Sequence, residues 1–289
     1  MQRFTTVKAY YELTKPGIIY GNILTAIAGF LLGSKWRIDA QAFFAMLFGT
    51  SLVIGSACVL NNYIDRDIDH AMARTKKRAL VSGQIKPRNA LGYAITLGAA
   101  GFGLLIAYSN ILVVYIGAVA FIDYVILYGL SKRHSTLSTL VGSVSGSAPI
   151  VAGYVAAVGH FDLGALLLFL ILTCWQMPHF YAIGMYRVDD YAAAHLPILP
   201  VEKGMHHTKM HIVSYIVAFN VAIVSLALYG YAGYAYATVM LGLGLVWLFR
   251  GIQGFKAADD KKWARGMFFY SLIVIMALSA TLSVGSILP

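Results

Sequence analysis

The chain reads as an all-α, polytopic membrane protein of nine transmembrane helices. Three observations carry that reading. Of its 289 residues 59% are hydrophobic and 12% charged, with a mean hydropathy of +0.72. Apolar stretches recur from end to end, each close to the ~20 residues needed to cross a ~30 Å hydrocarbon core. The basic residues gather in alternate connections between those stretches. Soluble domains run at roughly 45–50% apolar with glycine included and about 25% charged, so a water-soluble globular fold is excluded. Disorder is excluded by the same composition. Nine spans leave little chain for a separate soluble domain, and residues 1–289 are read as one transmembrane domain.

The segment from Met1 to Lys15 carries Arg3, Lys8, Glu12 and Lys15 and has neither an Arg/Ser-rich presequence nor a small-residue cleavage site, so it reads as the mature start. Spans are then expected at about 17–34, 42–61, 90–108, 111–129, 139–158, 163–185, 210–229, 232–249 and 267–287. The seventh and eighth are separated only by Gly230 and Gly233 in YGYAGYAY, where the alternative is one long kinked helix. Charge decides between them. The N-terminus and the connections at about 62–89, 130–138, 186–209 and 250–266 hold 20 of the 22 Lys and Arg, and Lys35 and Arg37 lie on the other side. An even number of crossings between basic segments requires the split, and the positive-inside rule makes the basic side cytoplasmic, with the N-terminus inside. The net charge of +10 is therefore mostly a topology signal. No nucleic-acid-reading module accompanies it. Cys58 and Cys174 both fall in apolar stretches and behave as small hydrophobes.

Most acids share the basic side: Asp65, Asp67, Asp69, Asp189, Asp190, Glu202, Asp259 and Asp260. In NNYIDRDID, from Asn61 to Asp69, the residues Asn61, Asp65 and Asp69 recur every four positions. A helix running through them presents an amide and two carboxylates on one face, about 6 Å apart along the axis. Asp67 points away from that stripe and is left out of the site. Magnesium takes oxygen ligands, and usually bridges one or two carboxylates to substrate phosphates. Arg74, Lys76 and Arg78 follow the stripe and suit a diphosphate held by metal on one flank and cations on the other. The plainer reading is a solvated helix end whose acids balance a basic loop.

A second cluster runs through WQMPHF (Trp175 to Phe180), YRVDDY (Tyr186 to Tyr191) and LPILP (Leu196 to Pro200). Tyr186 and Asp190 are four apart on an expected helical extension, where Asp190 would complete the magnesium site opposite Asp65 and Asp69. His179 lies inside the span, where an ionisable residue is a functional candidate, although such a histidine often only bonds a neighbouring helix. Pro178 is expected to break a backbone bond and open the helix toward a cavity. His206, His207 and His211 are the alternatives to His179, in or beside the following connection, and Asp123 in FIDYVILYG is accounted for by neither motif nor topology. A buried neutral acid, or one paired across the cavity, stands beside a functional role for it.

NNYIDRDID resembles the N-x-x-x-D-x-x-x-D motif of the intramembrane prenyltransferases of the UbiA superfamily. The longer strings NNYIDRDIDxxMxRTKxRxLVxG, WQxPHF and YRxxDYxxAxxPxLP are similar to the branch that modifies heme, and the likeness runs from TKPG in span one to the connection after span six. It implies nine helices around a central cavity with a cytoplasmic cap, in a bacterial cytoplasmic membrane. It implies transfer of the farnesyl group of farnesyl diphosphate to a vinyl group of heme b, with addition of water, giving heme O. Tyr186 stands where members acting on aromatic acids and quinone precursors usually carry a second aspartate, which favours the heme branch. Under this reading Asn61, Asp65, Asp69 and Asp190 hold Mg2+ on the diphosphate. Arg74, Lys76, Arg78, Lys132, Arg133 and Lys203 neutralise the leaving group, and Asn22, His179 and Tyr186 line the acceptor side. Farnesyl diphosphate, heme b and the bilayer are the implied partners. A downstream heme-modifying enzyme or a terminal oxidase is the protein contact to consider, and oligomeric state is unread. The competing readings are a prenyltransferase for an aromatic acceptor, a transporter and a non-catalytic heme chaperone. The crowding of acids on one face argues against a transporter, which usually binds substrate near the midplane.

Overall fold

The computed structural model describes residues 2–72 and 74–285. Among them there is no strand, and nine helices are long and apolar enough to cross a membrane. In chain order the helices are α1 (Gln2–Leu13), α2 (Pro16–Ser34), α3 (Ala40–Ile64), α4 (Arg66–Ala71), α5 (Pro87–Tyr108), α6 (Ile111–Ile122), α7 (Tyr128–His134), α8 (Ser138–Val158), α9 (Leu163–Tyr186), α10 (Val188–Ala193), α11 (Leu199–Glu202), α12 (Gly204–Leu228), α13 (Tyr234–Gln253) and α14 (Asp260–Gly285). A π-helical turn, Asp123–Leu127, joins α6 and α7 into the fourth span. The short α4, α10 and α11 all lie in connections at the basic end of the bundle.

The predicted spans are all present, with shifted ends. Six extend three residues or more beyond their apolar runs on the basic side: the second span continues to Ile64, the fourth to His134 and the eighth to Lys256, and α5 starts at Pro87, α12 at Gly204 and α14 at Asp260. Backbone hydrogen bonding continues after hydrophobicity stops, so polar first and last turns are invisible to a hydropathy reading. The expected end at 287 lies outside the described residues, as does Met1. Helices α12 and α13 are separate, joined by a turn in which Gly230 takes φ 76°, so the split required by the charges is found.

End signals are local. Pro16 and Pro87 open α2 and α5, where a missing N–H costs nothing. On the side away from the basic loops, Asp39, Asn110 and Asp162 accept hydrogen bonds from first-turn N–H groups of α3, α6 and α9. Packing then depends on small residues. Gly29 of α2 sits against the carbonyl of Ile150, and Gly153 of α8 against the carbonyl of Ala26, with no room for a Cβ at either place. Lipid gives helices no hydrophobic reason to associate, and such close backbone approach is what makes van der Waals contact sufficient.

Two expectations are corrected. Helix α9 runs unbroken through Pro178, which is itself buried, so the helix does not open there. The extension meant to carry Tyr186 and Asp190 on one stripe stops at Arg187 (φ −114°, ψ 20°), and the Asp190 N–H donates to the Arg187 carbonyl instead. The π turn accounts for Asp123. Its buried carboxylate accepts the Ser145 backbone N–H of α8 at 3.0 Å, tying the wide turn to the next helix.

Candidate active site

Helix α3 pauses at Asp65 (φ −86°, ψ 12°) and α4 resumes one residue later. The four-residue spacing nevertheless survives the pause, because the Asp65 N–H bonds to the Asn61 carbonyl at 2.9 Å and the Asp69 N–H to the Asp65 carbonyl at 2.8 Å. Asn61, Asp65 and Asp69 are all buried, the two acids only 1% and 2% exposed. Carboxylates that deep persist only with partners.

The partners come from four parts of the chain. Lys132 of α7 donates to Asp65 Oδ2 at 2.8 Å, and Asn61 Nδ2 donates to the same oxygen at 3.0 Å. Arg78, from the turns after α4, donates to Asp69 Oδ2 at 2.5 Å and to Asn62 Oδ1 at 3.1 Å. Arg133 grips both oxygens of Asp67 at 2.7 and 2.9 Å and comes within 3.8 Å of Asp65 Oδ1. Asp67 is thus outside the stripe, exposed, with its carboxyl held down to about 2 chiefly by Arg133. Lys15, in the left-handed link between α1 and α2 (φ 52°), donates to Asn61 Oδ1 at 2.6 Å. Burial brings its ammonium down to about 8. Arg74, Lys76 and Lys203 are exposed on the same face.

One buried atom is left over. Asp65 Oδ1 has no hydrogen-bond partner, an expensive state for a carboxylate oxygen. The stripe's other side-chain oxygens include Asn61 Oδ1, which accepts from Lys15, and Asp69 Oδ2, which accepts from Arg78, and oxygens are the ligands that hard divalent cations take. Among the described residues no three His, Cys, Asp or Glu side chains are close enough to share one ion.

Tyr186 and Asp190, although not on one helix, line one cavity of about 540 Å3 between the end of α9, α10 and the start of α14. Beyond the α10 side of this cavity, Ile68 and Met72 of the α4 segment pack against Leu196, with Tyr191 and Ala194 alongside. His179 is buried near it, its Nδ1 2.7 Å from Ser271 Oγ and its ring 4.8 Å from Trp175 and 5.0 Å from Phe268. His206, His207 and His211 lie in the first turns of α12, the last two with Nε2 atoms 3.2 Å apart. Asn22 spends its amide on the Ile18 carbonyl of its own helix, 2.9 Å away.

The sequence reading missed Lys15, Arg187 and Arg265. Lys15 meets Asn61 only through the docking of α2 beside α3, and no local pattern marks it apart from its place before Pro16. Arg187 and Arg265 converge on the cavity from helices far apart in sequence.

A nine-span bundle with two buried carboxylates ringed by cations at one end defines an intramembrane prenyltransferase, and the chain belongs to the UbiA prenyltransferase family, whose model matches residues 22–273. Within that family it is similar to protoheme IX farnesyltransferase of Klebsiella pneumoniae, 52% identical over 98% of this chain and 96% of the relative. Two solved structures share the fold. One is digeranylgeranylglyceryl phosphate synthase (TM-score 0.82, 19% identity, covering 98% of this chain and 99% of that one). The other is a UbiA homologue from Archaeoglobus fulgidus bound to GPP and Mg2+ (TM-score 0.74, 16% identity, covering 95% and 99%).

Proposed function

We propose that this protein transfers the farnesyl group of farnesyl diphosphate to a vinyl carbon of heme b, with addition of water, releasing diphosphate and giving heme O. The observation that carries the metal-assisted chemistry is the buried, unpartnered Asp65 Oδ1 beside Asn61 and Asp69. The acceptor rests on the similarity to protoheme IX farnesyltransferases.

Asn61, Asp65 and Asp69 would hold Mg2+ from one side and Asp190 from the other, with the diphosphate bridging between them. Bound there, the metal supplies electrophilic stabilisation of the leaving diphosphate. The protein adds the rest. Lys15, Arg78, Lys132 and Arg133 surround the stripe and offset negative charge as the allylic carbon–oxygen bond breaks, and Arg74, Lys76 and Lys203 extend the cationic field over the mouth. The apolar bundle takes the isoprenoid chain and keeps water from the cation. The vinyl carbon attacks C1 of the farnesyl cation, and water adds to the neighbouring carbon with loss of a proton, leaving a hydroxyl. Tyr186 stands on the acceptor side, and His179 backs the Phe268 ring that lines the same cavity. By the charge bias of the loops this end of the bundle faces the cytoplasm.

The test is purified protein with heme b, farnesyl diphosphate and Mg2+, pigments resolved by mass, and EDTA as control. A magnesium-dependent product heavier by one farnesyl group plus one hydroxyl group is expected. Unmodified heme, with diphosphate released on adding an aromatic acid, would assign the acceptor to the quinone-precursor class instead.

A further inference from the structure

The cavity between α9, α10 and α14 has walls of a particular chemistry. Tyr186 and Phe268 meet at a ring separation of 5.8 Å, and Phe269 continues the aromatic surface. Arg187 and Arg265 enter from opposite helices. Asp189, on the same rim, is already paired with Lys261 at 2.5 Å. Asp190 lies 3.7 Å from Arg187, too far for a good hydrogen bond. Arg265 forms no ion pair among the described residues, and its guanidinium rests 5.8 Å from the Phe269 ring. The volume, about 540 Å3, lies in the ~300–1,000 Å3 range of small-molecule sites.

We propose that this cavity is the porphyrin subsite, and that Arg187 and Arg265 bind the two propionates of heme b. The inference rests on the proposed function, since it takes heme b as acceptor. Arg187, held by Asp190 only at 3.7 Å, and Arg265, without an ion pair among the described residues, together with the apolar ring surfaces of Tyr186, Phe268 and Phe269, suit an aromatic dicarboxylate, each Arg presenting a fork to one carboxylate. Orientation follows from the ligand's own chemistry. The propionates and the vinyl groups occupy opposite halves of the macrocycle, so holding the propionates at the Arg187 and Arg265 rim turns the vinyls away from that rim. His179, hydrogen-bonded to Ser271 and packed on Phe268, fixes the aromatic wall from behind. An anionic lipid headgroup would use the arginines but has no need of that wall.

The experiment compares heme b with its dimethyl ester, in which both propionates are neutral, as acceptors for the full-length protein and for Arg187→Gln, Arg265→Gln and Arg265→Lys. The unaltered protein is expected to prefer the free acid about tenfold in kcat/KM. Each Gln variant should raise the KM for heme b about threefold and leave that for the ester unchanged, cutting the preference by the same factor, and Lys should restore part of it. Equal KM values for acid and ester in the unaltered protein, or equal losses for both in the variants, would overturn the assignment. So would variants that leave both acceptors unaffected and abolish only a stimulation by phosphatidylglycerol vesicles, which would make the cavity a lipid site. Absorbance titration with the same two porphyrins reads binding without turnover. If no farnesylated heme forms but the acid still binds better than the ester, and only when both arginines are present, the subsite stands and the proposed reaction fails.

Discussion

Lys132 and Asp65 meet at 2.8 Å across 67 residues of chain, joining the end of the fourth span to the end of the second. Oδ1 on the other side of the carboxylate has no hydrogen-bond partner, with Arg133 Nη2 3.8 Å away, and is the oxygen proposed for the metal. Lys132→Met therefore strands a buried carboxylate. It should cost about 3 kcal/mol, the lower end of what breaking a buried pair costs, seen as a lower Tm in detergent. Mg2+ with farnesyl diphosphate should recover part of that loss, and a Tm indifferent to both would contradict the placement of the metal.

The three aspartates of the first motif should separate in function. Asp65→Asn and Asp69→Asn are expected to reduce product formation at least ~100-fold with normal membrane insertion, the scale on which one electrostatic contact to a transition state acts. Asp67→Asn loses only an exposed clamp on Arg133, and surface ion pairs contribute about 0–1 kcal/mol, so activity should fall less than ~5-fold. Equal losses at all three positions would refute the stripe.

Lys15 predicts a difference between size and charge. Lys15→Ala removes both the donor to Asn61 Oδ1 and a cation beside the diphosphate, and the KM for farnesyl diphosphate should rise about tenfold, as for one lost charged hydrogen bond. Lys15→Arg should retain most of the affinity. Steady-state kinetics with heme b held saturating make the measurement.

Gly153→Ala should be among the costliest small changes in the bundle. The added carbon lands on the Ala26 carbonyl, which is backbone and cannot rotate aside, whereas one added at Gly103 meets nothing within 4 Å. Overpacking costs about 1–3 kcal/mol, so Gly153→Ala should lower Tm and Gly103→Ala should not.

What the chain disclosed beforehand follows from the range of the interactions involved. The spans and the Asn61, Asp65, Asp69 stripe depend on spacing within one helix, and both were legible. The helix ends were not, because Gly204 to Lys209 and Asp260 to Arg265 are helical but polar. Tyr186 and Asp190 were expected on one stripe; they line one cavity by a different route, through a break at Arg187 that no residue type announces. Lys15 and Arg265 stayed hidden for a simpler reason. Each reaches its neighbours only after two distant helices dock.

The π turn at Asp123–Leu127 sets the azimuth of everything after it. A π turn carries one residue more than the α-helix it replaces, and one residue is about 100° of rotation. The lower half of span four and its cytoplasmic end are therefore indexed separately, like two dials on one shaft. Were the same residues wound as a plain α-helix, the apolar half of the span would keep its seat, while Lys132 and Arg133 would swing about a quarter turn away from Asp65 and Asp67. The cations of this site are aimed by a count of backbone units, held in place by the Asp123 bond to Ser145, so Asp123→Ala, which frees the turn to close into a plain α-helix, should weaken the site with Lys132 and Arg133 still present.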